Sequence, residues 1–219
     1  PLFRSYRNEG GGIFSGVPGA LGSDALHTTS VAWGDMDGDG DLDVFVANDG
    51  QGNEVWLNDG DGAFTDSGQS LGTADTYAVA LGDVDGDGDL DAVTGNDIGQ
   101  GSRVWYNNGS GGFSSGQTLS FRDTRAVALG DLDNDGNMDL FAANSEQEGL
   151  RVWRGNGVYG WTLDTPPQET NSWQTILGSK DINFDGNPDV ISGSNALGGI
   201  HIWIGDDNDK FTWSSWREV

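Results

Sequence analysis

Short apolar runs alternate with Gly-, Asn- and Asp-rich segments along the whole chain. The runs are about four to six residues long and rich in Val, Ile, Trp and Phe, and turn residues bound them, as is typical of β-strands. The chain also contains 37 Gly, a residue that disfavours helix. The pattern therefore predicts an all-β protein.

One sequence unit recurs four times. Val-Ala-Trp-Gly-Asp at 31–35 returns as Val-Ala-Leu-Gly-Asp at 79–83 and 127–131, and a more divergent copy ends at Asp181. The first Asp of successive copies lies 48, 48 and 50 residues after the one before it. Four short strands in a unit of that length are typical of a propeller blade. We predict a β-propeller of four-stranded antiparallel blades.

The N-terminus adds an outer half-blade to four full blades. Residues 6–14 align with 56–64, the third and fourth strands of a unit, and lack the first two strands. Either the chain belongs to a larger propeller, or this segment completes something outside its own ring. The predicted organisation is one domain over 1–219, with a half-blade at 1–22 and blades at 23–71, 72–119, 120–168 and 169–219.

Each unit carries a nine-residue acidic loop between its first and second predicted strands. Positions 1, 3, 5 and 9 offer side-chain oxygens, position 7 offers a carbonyl, and Gly at position 6 permits a sharp turn. This is the all-oxygen shell of about six or seven ligands that Ca²⁺ prefers, whereas Mg²⁺ demands a tighter octahedron. An EF-hand would need Glu at position 12, where Val46, Thr94, Ala142 and Ser192 stand. We predict about four structural calcium ions.

The segment Leu-Gly-Asp-Val-Asp-Gly-Asp-Gly-Asp-Leu-Asp at 81–91 resembles the FG-GAP/VCBS repeat of integrin α-chain propellers and many secreted bacterial proteins. The resemblance implies one calcium ion per loop, all on one face of the disc. The fourth loop departs from the family pattern at Asn183 and Pro188. With position 7 acting through its carbonyl, the implied ligands are Asp35, Asp37, Asp39, Asp41 and Asp43; Asp83, Asp85, Asp87, Asp89 and Asp91; Asp131, Asp133, Asp135, Asn137 and Asp139; and Asp181, Asn183, Asp185, Asn187 and Asp189.

The charge balance narrows the range of partners. With 35 acidic and 10 basic residues, the net charge of −25 repels nucleic acid and anionic membranes. No apolar stretch approaches 18 residues, so we expect no membrane insertion. The acidic residues concentrate in the four loops, where their carboxylates would repel one another without a cation. The loops therefore favour bound metal over solvated turns.

Tryptophan and asparagine also follow the repeat. Four Trp recur inside apolar triplets, and we interpret them as core between blades rather than as sugar-stacking platforms: Trp56, Trp105, Trp153 and Trp203. Four other Trp break the pattern, and we expect them to be free for local roles: Trp161, Trp173, Trp213 and Trp216. An Asn follows each second strand, at 48, 96, 144 and 195, where turn capping is the simpler interpretation and a ligand surface the other.

Catalytic signatures are scarce. The chain has two His and no Cys, and it lacks the common nucleophile, phosphate-loop and zinc motifs. We therefore expect no enzyme, but a secreted or cell-surface, calcium-stabilised module that binds a protein or glycan ligand. One alternative is a self-assembling subunit, a homo-oligomer in a ring or filament joined through residues 1–22. Others are a lectin or an accessory domain of a polysaccharide-active enzyme.

Overall fold

The computed structural model describes residues 6–16, 27–120, 123–145, 149–164, 174–194 and 199–205. These residues form β-strands, turns and loops, and no helix occurs among them. In particular, this part of the chain contains no helix with the length and apolarity needed to span a bilayer. The all-β prediction is confirmed.

The strands pair antiparallel with their neighbours in sequence. In chain order they are β1 (Tyr6–Gly10), β2 (Ile13–Gly16), β3 (Thr28–Gly34), β4 (Asp43–Asn48), β5 (Glu54–Asn58), β6 (Phe64–Asp66), β7 (Thr76–Gly82), β8 (Asp91–Asn96), β9 (Ser102–Asn107), β10 (Phe113–Ser120), β11 (Thr124–Gly130), β12 (Asp139–Asn144), β13 (Leu150–Gly155), β14 (Trp161–Asp164), β15 (Gln174–Lys180), β16 (Asp189–Ser194) and β17 (Gly199–Trp203).

These strands build an N-terminal hairpin and four consecutive sheets. The hairpin is β1–β2, and the four-stranded sheets 1, 2 and 3 contain β3–β6, β7–β10 and β11–β14. Sheet 4 has the three described strands β15–β17. Residues 6–16 do pair as a hairpin, in keeping with their alignment to third and fourth strands. The blade boundaries and the half-blade role stay predictions.

The register between the first two strands is the same in all four sheets. The last residue of the first strand lies opposite the ninth residue of the acidic loop, as in Gly34 opposite Asp43 and Gly82 opposite Asp91. Sheets 3 and 4 repeat this pairing. Each acidic loop is therefore the connection of a β-hairpin and enters no helix.

Hydrophobic clusters lie between consecutive sheets. We term the face of sheet 1 that carries Phe45 and Val55 its front and the opposite face its back, and we apply the same terms by register to the other sheets. The front of sheet 1 packs on the back of sheet 2, where Ala92 and Trp105 lie. Sheets 2 and 3, and sheets 3 and 4, meet in the same way. First strands lie side by side, β3 against β7, β7 against β11 and β11 against β15.

The recurrent Trp residues contribute to these clusters. Trp105 is buried between sheets 1 and 2, Trp153 packs on the next cluster, and Trp56 covers the back of sheet 1. The expectation that Trp161 is free was wrong, because its side chain is buried between sheets 2 and 3. It begins β14 in register with Phe113, so the period itself marks it as core. The side chain of Trp203, and the whole of Trp173, Trp213 and Trp216, lie outside the described residues.

The repeated Asn residues cap the turns after the second strands. Thr28 Oγ1 donates to Asn48 Oδ1 at 2.9 Å, and Asn48 Nδ2 donates to the Gly52 carbonyl at 2.9 Å. Asn96 and Asn144 make the same two bonds in sheets 2 and 3. All three side chains are buried, so the capping interpretation is confirmed for them. Asn195 lies outside the described residues.

Candidate metal centres

Four acidic loops connect the first and second strands of the sheets. We term them L1 (35–43), L2 (83–91), L3 (131–139) and L4 (181–189). All four belong to the described chain, and each leaves its sheet at the end of the first strand. They therefore share one position in the repeat.

The first Asp of each loop organises the turn. In L1, Gly38 N–H donates to Asp35 Oδ1 at 2.8 Å and Gly40 N–H donates to Asp35 Oδ2 at 3.0 Å. Asp181 accepts the matching pair in L4, from Phe184 and Gly186. The side chains at positions 3 and 5 accept from the N–H two residues ahead. These bonds wind the backbone around its own side-chain oxygens.

The ninth Asp of each loop is buried and accepts hydrogen bonds from both the loop and the third strand. We term this pair of bonds the clamp. Asp91 Oδ2 accepts from Val84 N–H at 3.0 Å, and its Oδ1 accepts from Asn107 N–H at 2.8 Å. The equivalent Asp residues accept both bonds in the other sheets. All four are fully buried: Asp43, Asp91, Asp139 and Asp189. The sequence identified this residue as a ligand but gave no sign of its second role.

Three loops gather carboxylates into a common cluster. Within each cluster, one oxygen from every member lies within 4.8 Å of the others. The clusters are Asp35, Asp37 and Asp39 in L1; Asp83, Asp85 and Asp91 in L2; and Asp131, Asp133 and Asp139 in L3. Two oxygens on opposite sides of one Ca²⁺ are about 5 Å apart, because each bond is about 2.3–2.6 Å long. The carboxylates in these three loops thus fit a calcium ion.

The predicted ligand sets are assembled only in part. Positions 1 and 3 meet in L1, L2 and L3, whereas the third cluster member is position 5 in L1 and position 9 in L2 and L3. Asp87 and Asp135 lie outside these clusters. In L4, whose third position is an amide, no cluster of three carboxylates forms among the described residues. The calcium assignment itself stays a prediction at every loop.

Burial and mutual repulsion raise the pKa of several of these carboxyls. Burial raises the pKa of Asp91 to about 6, although the N–H groups of Asn107 and Val84 favour its charged form. Burial likewise raises the pKa of Asp139 to about 6. The pKa of Asp37 and of Asp85 rises through burial first and then through neighbouring Asp charges. A divalent cation would relieve this repulsion.

A basic side chain from the third strand of sheet 3 contacts L3. The Arg154 guanidinium forms an ion pair with Asp133, a member of the L3 cluster. Arg154 comes from β13 and is in register with Leu57 of sheet 1 and Tyr106 of sheet 2. Sequence reasoning missed this contact, because Arg154 stands outside the loop that it reaches.

Hydrogen bonds connect L1 and L3 to the sheet that follows each of them. The Met36 carbonyl in L1 accepts from Asn107 Nδ2 at 2.8 Å and from Gly111 N–H at 2.8 Å, both from sheet 2. Position 4 of L3 reaches across in the same sense, where Asn134 Nδ2 donates to Asn187 Oδ1 at 2.8 Å in L4. L1 and L3 therefore take part in the junctions between sheets.

Comparison with protein families gives one match. The FG-GAP-like repeat model matches three overlapping stretches, residues 3–46, 35–94 and 83–142. The second stretch runs from the start of L1 into β8, and the third runs from the start of L2 into β12. Comparison with curated proteins gives no match. Because the matched stretches cover more than half of the chain and coincide with L1, L2 and L3, this protein belongs to the FG-GAP-like repeat family.

Proposed function

We propose that this protein is a calcium-stabilised, non-enzymatic binding module that works outside the cell or at its surface, with its sheets arranged as blades of a β-propeller. The observation that carries the proposal is the triple recurrence of a carboxylate cluster at the same place in the repeat. Membership of the FG-GAP-like family supports a binding or adhesion role. Side-by-side packing of successive first strands is the arrangement expected of neighbouring blades.

Calcium would play a structural part. The clustered oxygens of L1, L2 and L3 would each hold an ion, whose positive charge would offset the mutual repulsion of the carboxylates. The hydrogen bonds of the ninth Asp, and those that sheet 2 donates to the Met36 carbonyl, would extend that order to the junctions between sheets. Position 5 is exposed in all four loops and position 6 also faces solvent, which suits the modest affinities sufficient in extracellular fluid.

A cleft between sheets 1 and 2 is a candidate ligand site. It has a volume of about 360 Å³ and lies by the turns that follow the second strands, away from L1 and L2. Arg103 lies 5.5 Å from the centroid of the Trp105 ring and donates to Ser115 Oγ at 3.2 Å. Asn53 and Gln100 also line the cleft. A guanidinium over an aromatic ring favours a ligand that carries a carboxylate or an acidic sugar.

The metal part is tested by counting bound calcium. Equilibrium dialysis of the wild type should give about four ions per chain. A triple variant, Asp37→Asn with Asp85→Asn and Asp133→Asn, removes one carboxylate from each cluster but keeps an oxygen acceptor. At a calcium concentration that only just saturates the wild type it should bind fewer ions, because each substituted loop loses one charged ligand and binds roughly tenfold more weakly. Equal calcium content in the two proteins would refute the assignment.

The binding part is tested on arrays of acidic and neutral glycans and of acidic peptides, in calcium. Arg103→Ser should abolish any signal that depends on the cleft. Arg151→Ser is the charge-matched control, because Arg151 occupies the same register position in sheet 3. Identical binding by the two variants would remove the cleft from the proposal, and an array without any signal would remove the ligand class.

A further inference from the structure

One register position in the third strands lies beside the acidic loops. We term it the flanking position, and in sheets 1 to 3 it is occupied by Leu57, Tyr106 and Arg154. A Cβ at Gly111 would lie 2.9 Å from Leu57 Cδ2 and 3.7 Å from Asp37 Cβ, so these two side chains border the same space. The flanking residue is therefore a neighbour of the carboxylate at position 3 of its loop.

In sheet 2 the flanking side chain is a neutral phenol. Burial raises the pKa of Tyr106, and the nearby charges of Asp91 and Asp85 raise it further. Burial also raises the pKa of Asp91 to about 6, and the charges of Asp85 and Asp87 act in the same direction. The flanking position of sheet 2 thus offers the L2 carboxylates no positive charge.

In sheet 3 the flanking side chain is a guanidinium. Arg154 Nη1 forms an ion pair with Asp133 Oδ2, and the exposed fractions of the two side chains are 20% and 14%. The charge of Arg154 also acts on Asp139: burial raises the pKa of that carboxyl to about 6, and the guanidinium acts in the opposite direction. Solvent ions screen such a partly buried pair much less than an exposed one. Arg154 is thus a counter-ion for two of the three carboxylates in the L3 cluster.

L3 also carries less negative charge than the two loops before it. L1 and L2 each contain five Asp, whereas L3 contains four and has Asn137 at position 7. The guanidinium of Arg154 lowers the net charge of the site by one more unit. A divalent cation at L3 must either share Asp133 with this guanidinium or displace it, and both alternatives cost binding free energy.

We propose that Arg154 is an internal counter-ion that supports L3 without metal and makes it a weaker calcium site than L1 and L2. The inference rests on the proposed calcium sites of the module. L1 and L2 fill first as calcium rises, and L3 follows at a concentration roughly tenfold higher. Because L3 contacts sheet 4 through Leu132 and Asn134, the junction between sheets 3 and 4 keeps its order at calcium concentrations that do not fill L3.

The glycine at position 6 reports calcium binding at each loop separately. Gly40, Gly88 and Gly136 each donate their N–H to the first Asp of their own loop at 3.0 Å. A calcium-buffered titration followed by two-dimensional proton–nitrogen NMR therefore gives one midpoint for each of L1, L2 and L3. In the wild type, the midpoint for Gly136 should lie roughly tenfold above those for Gly40 and Gly88.

Substitutions at the flanking position test the role of the guanidinium. Arg154→Leu introduces the residue type that sheet 1 has there, and it should lower the Gly136 midpoint roughly tenfold without moving those of L1 and L2. Arg154→Lys keeps the positive charge and should keep the higher midpoint. Arg151→Leu is the matched control, because it removes the same charge from the opposite face of β13 and should leave all three midpoints unchanged.

The reciprocal variant Leu57→Arg gives L1 a guanidinium and should raise the Gly40 midpoint roughly tenfold, while that of Gly136 stays in place. Three equal midpoints in the wild type, or a Gly136 midpoint that Arg154→Leu does not lower, would overturn the role of Arg154 and leave calcium at L1 and L2 intact. Glycine amides that do not respond to calcium in any loop would overturn the proposed function as well.

Discussion

L2 and L4 occupy the same place in the repeat but differ in what they can hold. L2 brings Asp83, Asp85 and Asp91 together, whereas L4 has an amide at position 3 and forms no carboxylate cluster among the described residues. Yet both loops have the same backbone hydrogen bonds. Asp181 and Asp189 accept the same N–H groups as Asp83 and Asp91.

The difference separates two roles within one motif. Positions 1 and 9, with Gly at position 6, determine the path of the backbone, and L4 shows that this path persists without the carboxylate at position 3. The carboxylate at position 3 is instead a member of every three-carboxylate cluster. Substitutions at position 9 should therefore reduce stability with or without calcium, whereas those at position 3 should act only in its presence.

The largest effect is expected at the clamp. Asp91→Ala leaves the buried N–H groups of Val84 and Asn107 without their acceptor, which should cost about 3 kcal/mol of unfolding free energy. The loss should appear in EDTA as well as in calcium, by urea denaturation. A variant that is normal in EDTA would show that the clamp has no structural role.

Asp85→Asn is the matched test at position 3. The amide oxygen can still accept the N–H of Asp87, so stability in EDTA should change by no more than about 0.5 kcal/mol. Calcium affinity at L2 should fall roughly tenfold or more, because one charged ligand is lost. Calorimetric titration measures the affinity. A large loss of stability without calcium would show that position 3 also determines the path of the backbone.

Asn183→Asp should make L4 resemble L2 in its calcium affinity. The substitution replaces the donor that now bonds to Asp185 Oδ2 at 2.8 Å with a second negative charge. We expect lower stability in EDTA and an L4 affinity for calcium that rises roughly tenfold. The two melting curves, with and without calcium, give the comparison. An unchanged calcium affinity would mean that position 3 does not limit binding at L4.

Phe184→Gly should raise stability by a modest amount. Gly adopts a φ of 63° without strain, so the free energy of unfolding should rise by about 1 kcal/mol. Denaturation at low protein concentration measures it. A loss of stability instead would indicate that the Phe184 side chain makes stabilising contacts within its own chain.

Sequence reasoning predicted the repeat, its strands and the place of the loops, because each depends on local pattern. Thr28 to Gly34 and Asp43 to Asn48 pair as the alternation of apolar runs and turns requires. The apolar triplets centred on Trp56, Trp105 and Trp153 likewise became third strands. The repeat length and the turn residues were sufficient to predict these strands, because neither depends on contacts between sheets.

What the sequence did not reveal lies between elements. Two such contacts join residues that are distant along the chain: the ion pair between Arg154 and Asp133, and the hydrogen bond from Asn107 Nδ2 to the Met36 carbonyl. The burial of Trp161 depends on the neighbouring sheet, although its alignment with Phe113 was a usable signal. The left-handed backbone of Phe184 could not be predicted from its residue type, because Phe rarely adopts that conformation.

Calcium bound at the acidic loops should stabilise the junctions between sheets. The most direct measurement is the thermal melt of metal-free protein before and after addition of millimolar calcium, with magnesium at the same concentration as the control. A ligand that binds only the folded state must raise the melting temperature, so we predict a marked rise with calcium and a smaller one with magnesium. A melt that is unchanged by calcium would contradict the claim.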